Sequence, residues 1–289
     1  MKNFLEYFLF LILAGIVRLL GLNVSRRLSI VIAFMFYYII PIRKQVTLKN
    51  LRKAFPEFSV SDIKKIAFGS YKSFSITLVE MLFIPFMTRE QIENAIYCED
   101  AELVKKYYKR YRGLIVLSGH FGNWEYIALS VSAKINVPFH VVVKSQRNPY
   151  VDAYLNKGRT RWINKIVPLG ASIRKIYAEL KAKNIVAMVA DQRGPQEGMR
   201  VNFFGQQSSI YPGPAMLAIK TGAPILYGLT IRQPDYSYTA QISEINMKNL
   251  PADEEKQIQE VSQRHMALLE SVIRKHPEQW LWMHNIWKY

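Results

Sequence analysis

The chain opens with two apolar runs, and downstream of residue 60 short apolar stretches alternate with amphipathic ones. Phe8 to Val17 is wholly apolar, and from Phe4 to Leu22 the only charges are Glu6 and Arg18. That length approaches the ~20 residues that cross a bilayer. The second run, Leu28 to Ile42, is short for a span and rich in aromatics, which suits a membrane interface or a buried helix. Further on, Ser59 or Ser61 can cap a helix running to about Leu82. Gly113–Ser118 is a short apolar run with a β-branched centre and predicts a buried strand. Val137–Val143 predicts a second strand. Ile173, Ile176, Tyr177 and Leu180 recur at helical spacing, and Asn184 ends that helix. Ile185–Val189 predicts a third strand, stopping before Asp191. Gly213–Lys220 predicts a helix with Pro214 in its first turn and Gly222 beyond its end. Ile225–Ile231 and Tyr236–Ile245 predict two more strands, turned at Gln233-Pro234-Asp235. A last helix covers Glu254 to Lys275. Strands alternating with helices indicate an α/β sandwich with a largely buried sheet. No repeat or low-complexity linker is visible. The chain therefore divides into N-terminal membrane-anchoring helices, residues 1–45, and one catalytic domain, residues 46–289.

Charge narrows the partners. Thirty-nine Lys and Arg against 22 Asp and Glu leave a formal +17 over 289 residues, half of them apolar. A balance this basic implies an anionic partner: nucleic acid, a membrane surface, or an acidic protein or substrate. The apolar start and the lack of a basic-aromatic motif exclude nucleic acid. Lys2 is the only basic residue before the first apolar core, and no Ala-x-Ala site follows, so the segment reads as an anchor and not a cleaved signal. Arg26, Arg27, Arg43, Lys44, Lys49, Arg52 and Lys53 lie between or just after the two runs, which places the bulk of the chain on the cytoplasmic side. The lone cysteine, Cys98, sits among Glu99, Asp100 and Glu102, which disfavour a thiolate; it reads as structural. Neither disulfide nor cysteine-rich metal site is possible.

Two of the buried strands end in polar residues of a catalytic type, where ligands sit in open α/β sheets. One runs into Ser118-Gly-His-Phe-Gly-Asn-Trp-Glu125, the other into Asp191-Gln192-Arg193-Gly194. Five residues along one helix place His120 and Glu125 about 140° apart, too far to meet. They meet if His120 sits in a turn before the helix and Glu125 in its first turns, with Gly119 and Gly122 making the turn. A helix N-terminus there offers free N–H groups for an oxyanion or phosphate and biases a histidine toward its neutral form. Glu125 could then fix the imidazole tautomer and stabilise the imidazolium. No Gly-x-Ser-x-Gly elbow and no His-Glu-x-x-His signature occurs. Spacing alone leaves two readings: a satisfied structural histidine, or a base that activates a substrate hydroxyl for direct attack on an acyl carbonyl. His140, His265, His276 and His284 lack a carboxylate at a comparable turn and read as structural or surface residues.

The motif resembles the His-x4-Asp/Glu signature of the glycerolipid acyltransferase superfamily. More narrowly, Ser118–Glu125 is similar to the bacterial lipid A late acyltransferases, the lauroyl/myristoyl transferases. Asn50-Leu51 with Phe55-Pro56-Glu57, Gly158-Arg159-Thr160-Arg161, Asp191-Gln192-Arg193-Gly194-Pro195, Phe203-Phe204-Gly205, Gly213-Pro214-Ala215, His276 to His284 and Trp287-Lys288 follow in that family's order. The resemblance implies a mixed α/β sheet flanked by helices on an N-terminal membrane helix, at the cytoplasmic face of the bacterial inner membrane. It implies transfer of a fatty acyl chain from acyl carrier protein or coenzyme A to a hydroxyl of a lipid A precursor, without cofactor or metal. The +17 charge fits an acidic carrier protein and a phosphorylated lipid. His120 would be the base and Glu125 its partner. Arg159 and Arg193 would face phosphate or the acyl carbonyl, with Asp191, Gln192 and Gly194 in the same substrate-facing region. Asn123 would orient the loop or donate to the oxyanion. Two departures, Arg193 and Asn285-Ile286, leave the acceptor open: an aminolipid, a glycolipid or a lysophospholipid are alternatives, as is a non-catalytic lipid-binding protein. Trp280, Trp282, Trp287 and Phe204 read as core.

Overall fold

The computed structural model describes residues 2–111, 113–169 and 173–289. Helices α1 (Lys2–Phe34), α2 (Lys44–Ala54), α3 (Val60–Phe83), α4 (Arg89–Glu93) and α5 (Ala101–Arg110) precede the first strand. Then come β1 (Leu114–Ser118), α6 (Trp124–Ile135), β2 (Phe139–Val143), α7 (Pro149–Arg159), β3 (Lys165–Pro168), α8 (Ile173–Lys181) and β4 (Ile185–Val189). A hairpin of β5 (Met199–Phe203) and β6 (Gln206–Ile210) leads into α9 (Gly213–Thr221), β7 (Ile225–Arg232), β8 (Tyr238–Glu244) and α10 (Glu254–Lys275).

The fold is α/β with a mixed six-stranded sheet in the order β3-β2-β4-β1-β7-β8. All neighbours pair in parallel except β7 and β8. The central strand β1 is buried along its whole length. Its alternation divides it between two cores: Ile115 and Leu117 face one, Leu114 and Val116 the other. Continuous apolar runs such as β1 and β4 are what a sheet covered on both faces requires.

Helix boundaries follow their caps. The Ser59 hydroxyl accepts the Asp62 N–H at 3.1 Å to start α3, and Asp253 caps α10 by accepting the Lys256 N–H at 2.9 Å. Gly222, at φ 72°, closes α9. The sequence missed β3, a four-residue edge strand, the β5–β6 hairpin and helices α2, α4, α5 and α7. The hairpin is polar on much of its length, and its two-residue turn uses Phe204 at φ 54° before Gly205 at φ 69°. A phenylalanine in that position defeats the usual turn signal.

The two N-terminal apolar runs form two helical segments under the label α1, which meet at a break at Gly21 (φ 73°, ψ 165°). A π-helical turn over Met35–Ile39 follows. The segments of α1 pack against α3 and bury Ala14, Val17, Ser25, Ser29 and Ala33; across the break the Ser25 hydroxyl donates to Val17 O at 3.3 Å. Most of its apolar surface stays outside: only 17% of its most apolar window is buried, and Leu19 is 87% exposed. An isolated core helix would be covered on more sides than this.

The C-terminal segment closes the molecule. Trp280, Trp282 and Trp287 are buried, as their sequence context predicts. Asn50 of α2, 1% exposed, donates from Nδ2 to the carbonyls of Trp282 (2.9 Å) and His284 (2.6 Å). Asn50→Ala orphans both carbonyls in the interior. It should lower unfolding stability by about 1–3 kcal/mol in a denaturant titration, without changing the secondary structure.

Candidate active site

The loop after β1 makes a turn held by β7, by α3 and by the C-terminal segment. Gly122 adopts φ 55°, and a Cβ there would collide with the carbonyl oxygen of Thr230 in β7. Only glycine fits that approach. The Gly122 N–H donates to Gln279 O at 3.0 Å, and its carbonyl accepts from Thr77 Oγ1 at 2.7 Å. Asn123 then caps α6: its Oδ1 accepts the N–H groups of Glu125 (3.1 Å) and Tyr126 (3.0 Å). Its own N–H donates to Thr230 Oγ1 at 2.9 Å.

This turn sets His120 before the helix and Glu125 in its first turn, as the spacing requires. The carboxylate that reaches the imidazole is, however, not Glu125. His120 Nδ1 lies 2.6 Å from Asp191 Oδ1, and the His120 N–H donates to Asp191 Oδ2 at 2.7 Å. The reason is register. In the parallel β1–β4 pair Ser118 lies opposite Val189, and His120 and Asp191 each follow two residues later. Asp191 is 3% exposed and also accepts from Trp280 Nε1 at 2.8 Å. Burial penalises its charge, but the imidazole, its hydrogen bond and that of Trp280 outweigh the penalty and hold its pKa below the ordinary carboxylate range. An ionised Asp191 can only accept, so Nδ1 carries the proton and Nε2 keeps its lone pair. Nε2 makes no hydrogen bond among the described residues, and the side chain is 21% exposed.

The expected bias of His120 toward neutrality is also corrected. Burial pushes its pKa down, but the charge and hydrogen bond of Asp191, with a contribution from the Glu125 charge, raise it above the ordinary value. The helix N-terminus that was to favour the neutral form is already occupied by the Asn123 cap.

Other residues singled out in the sequence have different neighbours from those expected. Glu125 is held by Arg159 of α7, whose Nη2 donates to Oε1 at 2.6 Å and Nε to Oε2 at 2.9 Å. Both side chains are nearly buried. In the structure the Arg159 fork is spent on a protein carboxylate, and Nη1 donates to Asn156 Oδ1 at 3.0 Å. Asn123 is fully buried and its Nδ2 donates to Glu80 Oε2 at 2.8 Å. It orients the loop, the other of the two roles open to it, and has no free amide for an oxyanion. Asp191 faces the histidine and not a substrate. Gly194 donates its N–H to Ser209 O at 2.9 Å and packs against the Ile210 backbone, so it too is structural. Gln192 is exposed. Arg193 donates its backbone N–H to His284 Nε2 at 2.8 Å and Nη1 to Asn285 O at 2.8 Å, with Tyr289 under its guanidinium. The two departures from the family pattern thus touch each other.

The remaining histidines sort by burial. His265, whose ring nitrogen lies 3.2 Å from Ala190 O, and His284 are both pushed by burial to about 4. His140 does find a carboxylate in the fold, Glu179 at 2.9 Å, yet burial still lowers its pKa. Cys98 is half-buried, and burial more than its acidic neighbours raises its thiol pKa. Among the described residues no group of three or more His, Cys, Asp or Glu is placed to hold a metal ion.

A small apolar cavity opens beside this loop. It lies between α6 and the sheet, lined by Ser118, Trp124, Val116, Ala187 and Phe139 among others. Trp124 stands edge-on to the His120 ring with centroids 5.0 Å apart. A lining this apolar favours apolar groups over polar ones. Sequence reasoning did not find this cavity, because its walls are ordinary core residues of β1, β2, β4 and α6. Nor did it find Glu80 and Trp280 as partners of the site. Neither carries a local signal.

The chain matches the sequence profile of a family described as bacterial lipid A biosynthesis acyltransferase over residues 2–289. Curated relatives include the lipid A biosynthesis palmitoleoyltransferase of Escherichia coli (strain K12) and the lipid A biosynthesis acyltransferase of Shigella flexneri. Each is 24% identical over 251 residues, 85% of this chain and 79% of the relative. The lipid A biosynthesis lauroyltransferase of Escherichia coli (strain K12) is 24% identical over 252 residues, with the same shares.

The geometry makes a prediction that needs no substrate. In a histidine ¹⁵N NMR titration, His120 should be Nδ1-protonated in its neutral form and titrate above 6.5. Asp191→Asn removes the largest raising influence while burial remains, so the His120 pKa should fall. An unchanged value in the variant would show that Asp191 does not control the ring.

Proposed function

The chain belongs to the bacterial lipid A biosynthesis acyltransferase family, and on that premise we propose that it moves a fatty acyl chain from a thioester to a hydroxyl of a lipid A precursor, with His120 as general base. The donor is acyl carrier protein or coenzyme A. One observation carries the reading: a histidine held by a buried aspartate through Nδ1, with no hydrogen bond at Nε2 among the described residues, in the loop between Ser118 and Trp124 that line an apolar cavity.

In this reading the acyl chain lies in the cavity and its carbonyl sits near His120. Nε2 takes the proton of the acceptor hydroxyl as the oxygen attacks the thioester carbonyl. That attack forms the C–O bond and a tetrahedral intermediate, which collapses by re-forming the carbonyl and breaking the C–S bond. The imidazolium returns its proton to the departing thiolate. Asp191 fixes the tautomer and opposes the positive charge as it forms, the role a buried aspartate plays beside a catalytic histidine. Glu125, anchored by Arg159, acts through its charge. Its proposed part is thus kept in kind but moved one step away from the ring. The exposed apolar face of α1 seats the protein in the inner membrane, and the exposed basic residues Arg43, Lys49 and Arg52 beside it fit the cytoplasmic face and an acidic carrier protein.

The decisive assay uses full-length enzyme in detergent micelles with labelled acyl-acyl carrier protein and a lipid A precursor. His120→Ala should lose about 10²–10⁴-fold in kcat; wild-type rates in that variant would remove the assignment. Lipid mass spectrometry of a deletion strain checks the acceptor, which must be a lipid A species lacking one acyl chain.

The pH profile follows from the raised His120 pKa. A base must be unprotonated, so kcat/KM should fall as pH drops through a midpoint above 6.5. Asp191→Asn should move that limb to lower pH and lower the plateau.

Chain length offers a separate check. Ala187 lies in the middle of the cavity wall, and Ala187→Phe should shift the preferred donor to shorter acyl chains. The measurement is kcat/KM across a series of donors.

A further inference from the structure

The mechanism does not use Glu80 of α3, yet its carboxylate is completely buried. Oε1 accepts from Arg26 Nε at 2.7 Å. Oε2 accepts from Asn123 Nδ2 at 2.8 Å and from the Tyr238 hydroxyl at 2.5 Å. A second cation, Arg232, lies 3.7 Å away and spends its own donors on Tyr238 (2.6 Å), Ser73 (2.7 Å) and Thr77 (2.7 Å). Thr77 in turn holds the Gly122 carbonyl. Two consecutive residues of the His120 loop, Gly122 and Asn123, thus hang from one buried polar network.

The origin of the closer cation matters. Arg26 belongs to α1, five residues past the break at Gly21. The apolar segment before that break is the part with least cover, while the part after it buries Ser25 and Ser29, with the Ser25 hydroxyl donating back to Val17 O. Arg232 alone could balance the charge of Glu80, but it makes no direct hydrogen bond to the carboxylate. The donor that does comes from the helix whose exposed face needs a membrane. A buried carboxylate that loses its hydrogen-bonded cation must find another donor or shift. The donors that would remain on it are the Tyr238 hydroxyl and the Asn123 amide, and the Asn123 side chain also caps α6, so a shift of the carboxylate is felt at that cap.

We propose that Glu80 is a positioning residue: it links Arg26 of α1 to the Asn123 cap, so that docking of the N-terminal helix on the body sets the geometry of the His120 loop. The chemical consequence rests on His120 being the base, as in the function proposed above; the link itself does not. A membrane-seated enzyme gains from such coupling, because the loop is then assembled only when α1 is in place. A misplacement of about 1 Å at a reacting group costs on the order of 10²-fold in rate.

The test uses the full chain in phospholipid nanodiscs, comparing wild type, Arg26→Met, Arg26→Lys and His120→Ala. Two readouts are taken: hydrogen exchange of the peptide spanning Gly119–Tyr126, and kcat and KM for labelled acyl-acyl carrier protein. In Arg26→Met the loop peptide should exchange about 10-fold faster or more, while peptides from α10 keep their protection. Its kcat should fall by roughly 30-fold or more with donor KM within about threefold, and Arg26→Lys should recover most of the loss. Wild-type exchange and kcat in Arg26→Met would overturn the proposal. So would a uniform loss of protection that includes α10, since Arg26 would then support the fold and not the loop. Faster loop exchange in Arg26→Met together with full activity in His120→Ala would leave the link standing and remove the catalytic reading instead.

Discussion

A carboxylate almost wholly withdrawn from water keeps its charge only if donors surround it, and the site is built around that requirement at Asp191. Its donors are the His120 ring, the His120 backbone N–H and the Trp280 indole. Each comes with a structural demand. The ring requires the β1 loop to follow the β4 loop in register. The backbone N–H requires the turn that Gly119 begins. The indole requires the C-terminal segment to fold back under the sheet. Removing any one leaves a buried charge short of a partner, an expensive state in a low-dielectric interior.

The same economy of donors explains why so many polar side chains near the site are unavailable to substrate. Asn123, Glu125, Arg159 and Glu80 are all paired with one another or with the loop. Nε2 of His120 makes no hydrogen bond among the described residues. On the proposed mechanism such a site would have little to reorganise during reaction, since its dipoles are already oriented. The cost is borne by the scaffold, which must bury the three carboxylates of Glu80, Glu125 and Asp191 together with their partners.

The N-terminal helix stands in a different relation to the rest. Its buried positions are mostly small residues, Ala14, Ser25, Ser29 and Ala33 with Val17, and they let its two segments approach each other across the Gly21 break. Its large apolar residues point away. In a membrane-bound state the body and the bilayer would share this helix, one taking the small-residue face and the other the large. Arg26 is the exception on that small-residue face, and its insertion beside Glu80 makes the helix more than an anchor.

The sequence by itself determined the strands and helices whose patterning is strong. The continuous apolar runs of β1 and β4, the helix α10 between its acidic and basic ends, and the His120 turn with its glycines could all be read locally, because each signal lies within a dozen residues. The family resemblance rested on such local motifs as well, and it correctly pointed to acyl transfer. The tertiary structure alone decided which side chains face each other. Glu125 was the carboxylate nearest to His120 along the chain, but a helix directs it toward Arg159, while parallel pairing carries Asp191 from 71 positions away to the imidazole. Trp280 and Glu80 lacked any local mark for the same reason: their roles are contacts across the fold. Spacing along the chain fixes direction within one element, whereas partnership between elements is set by strand order and register.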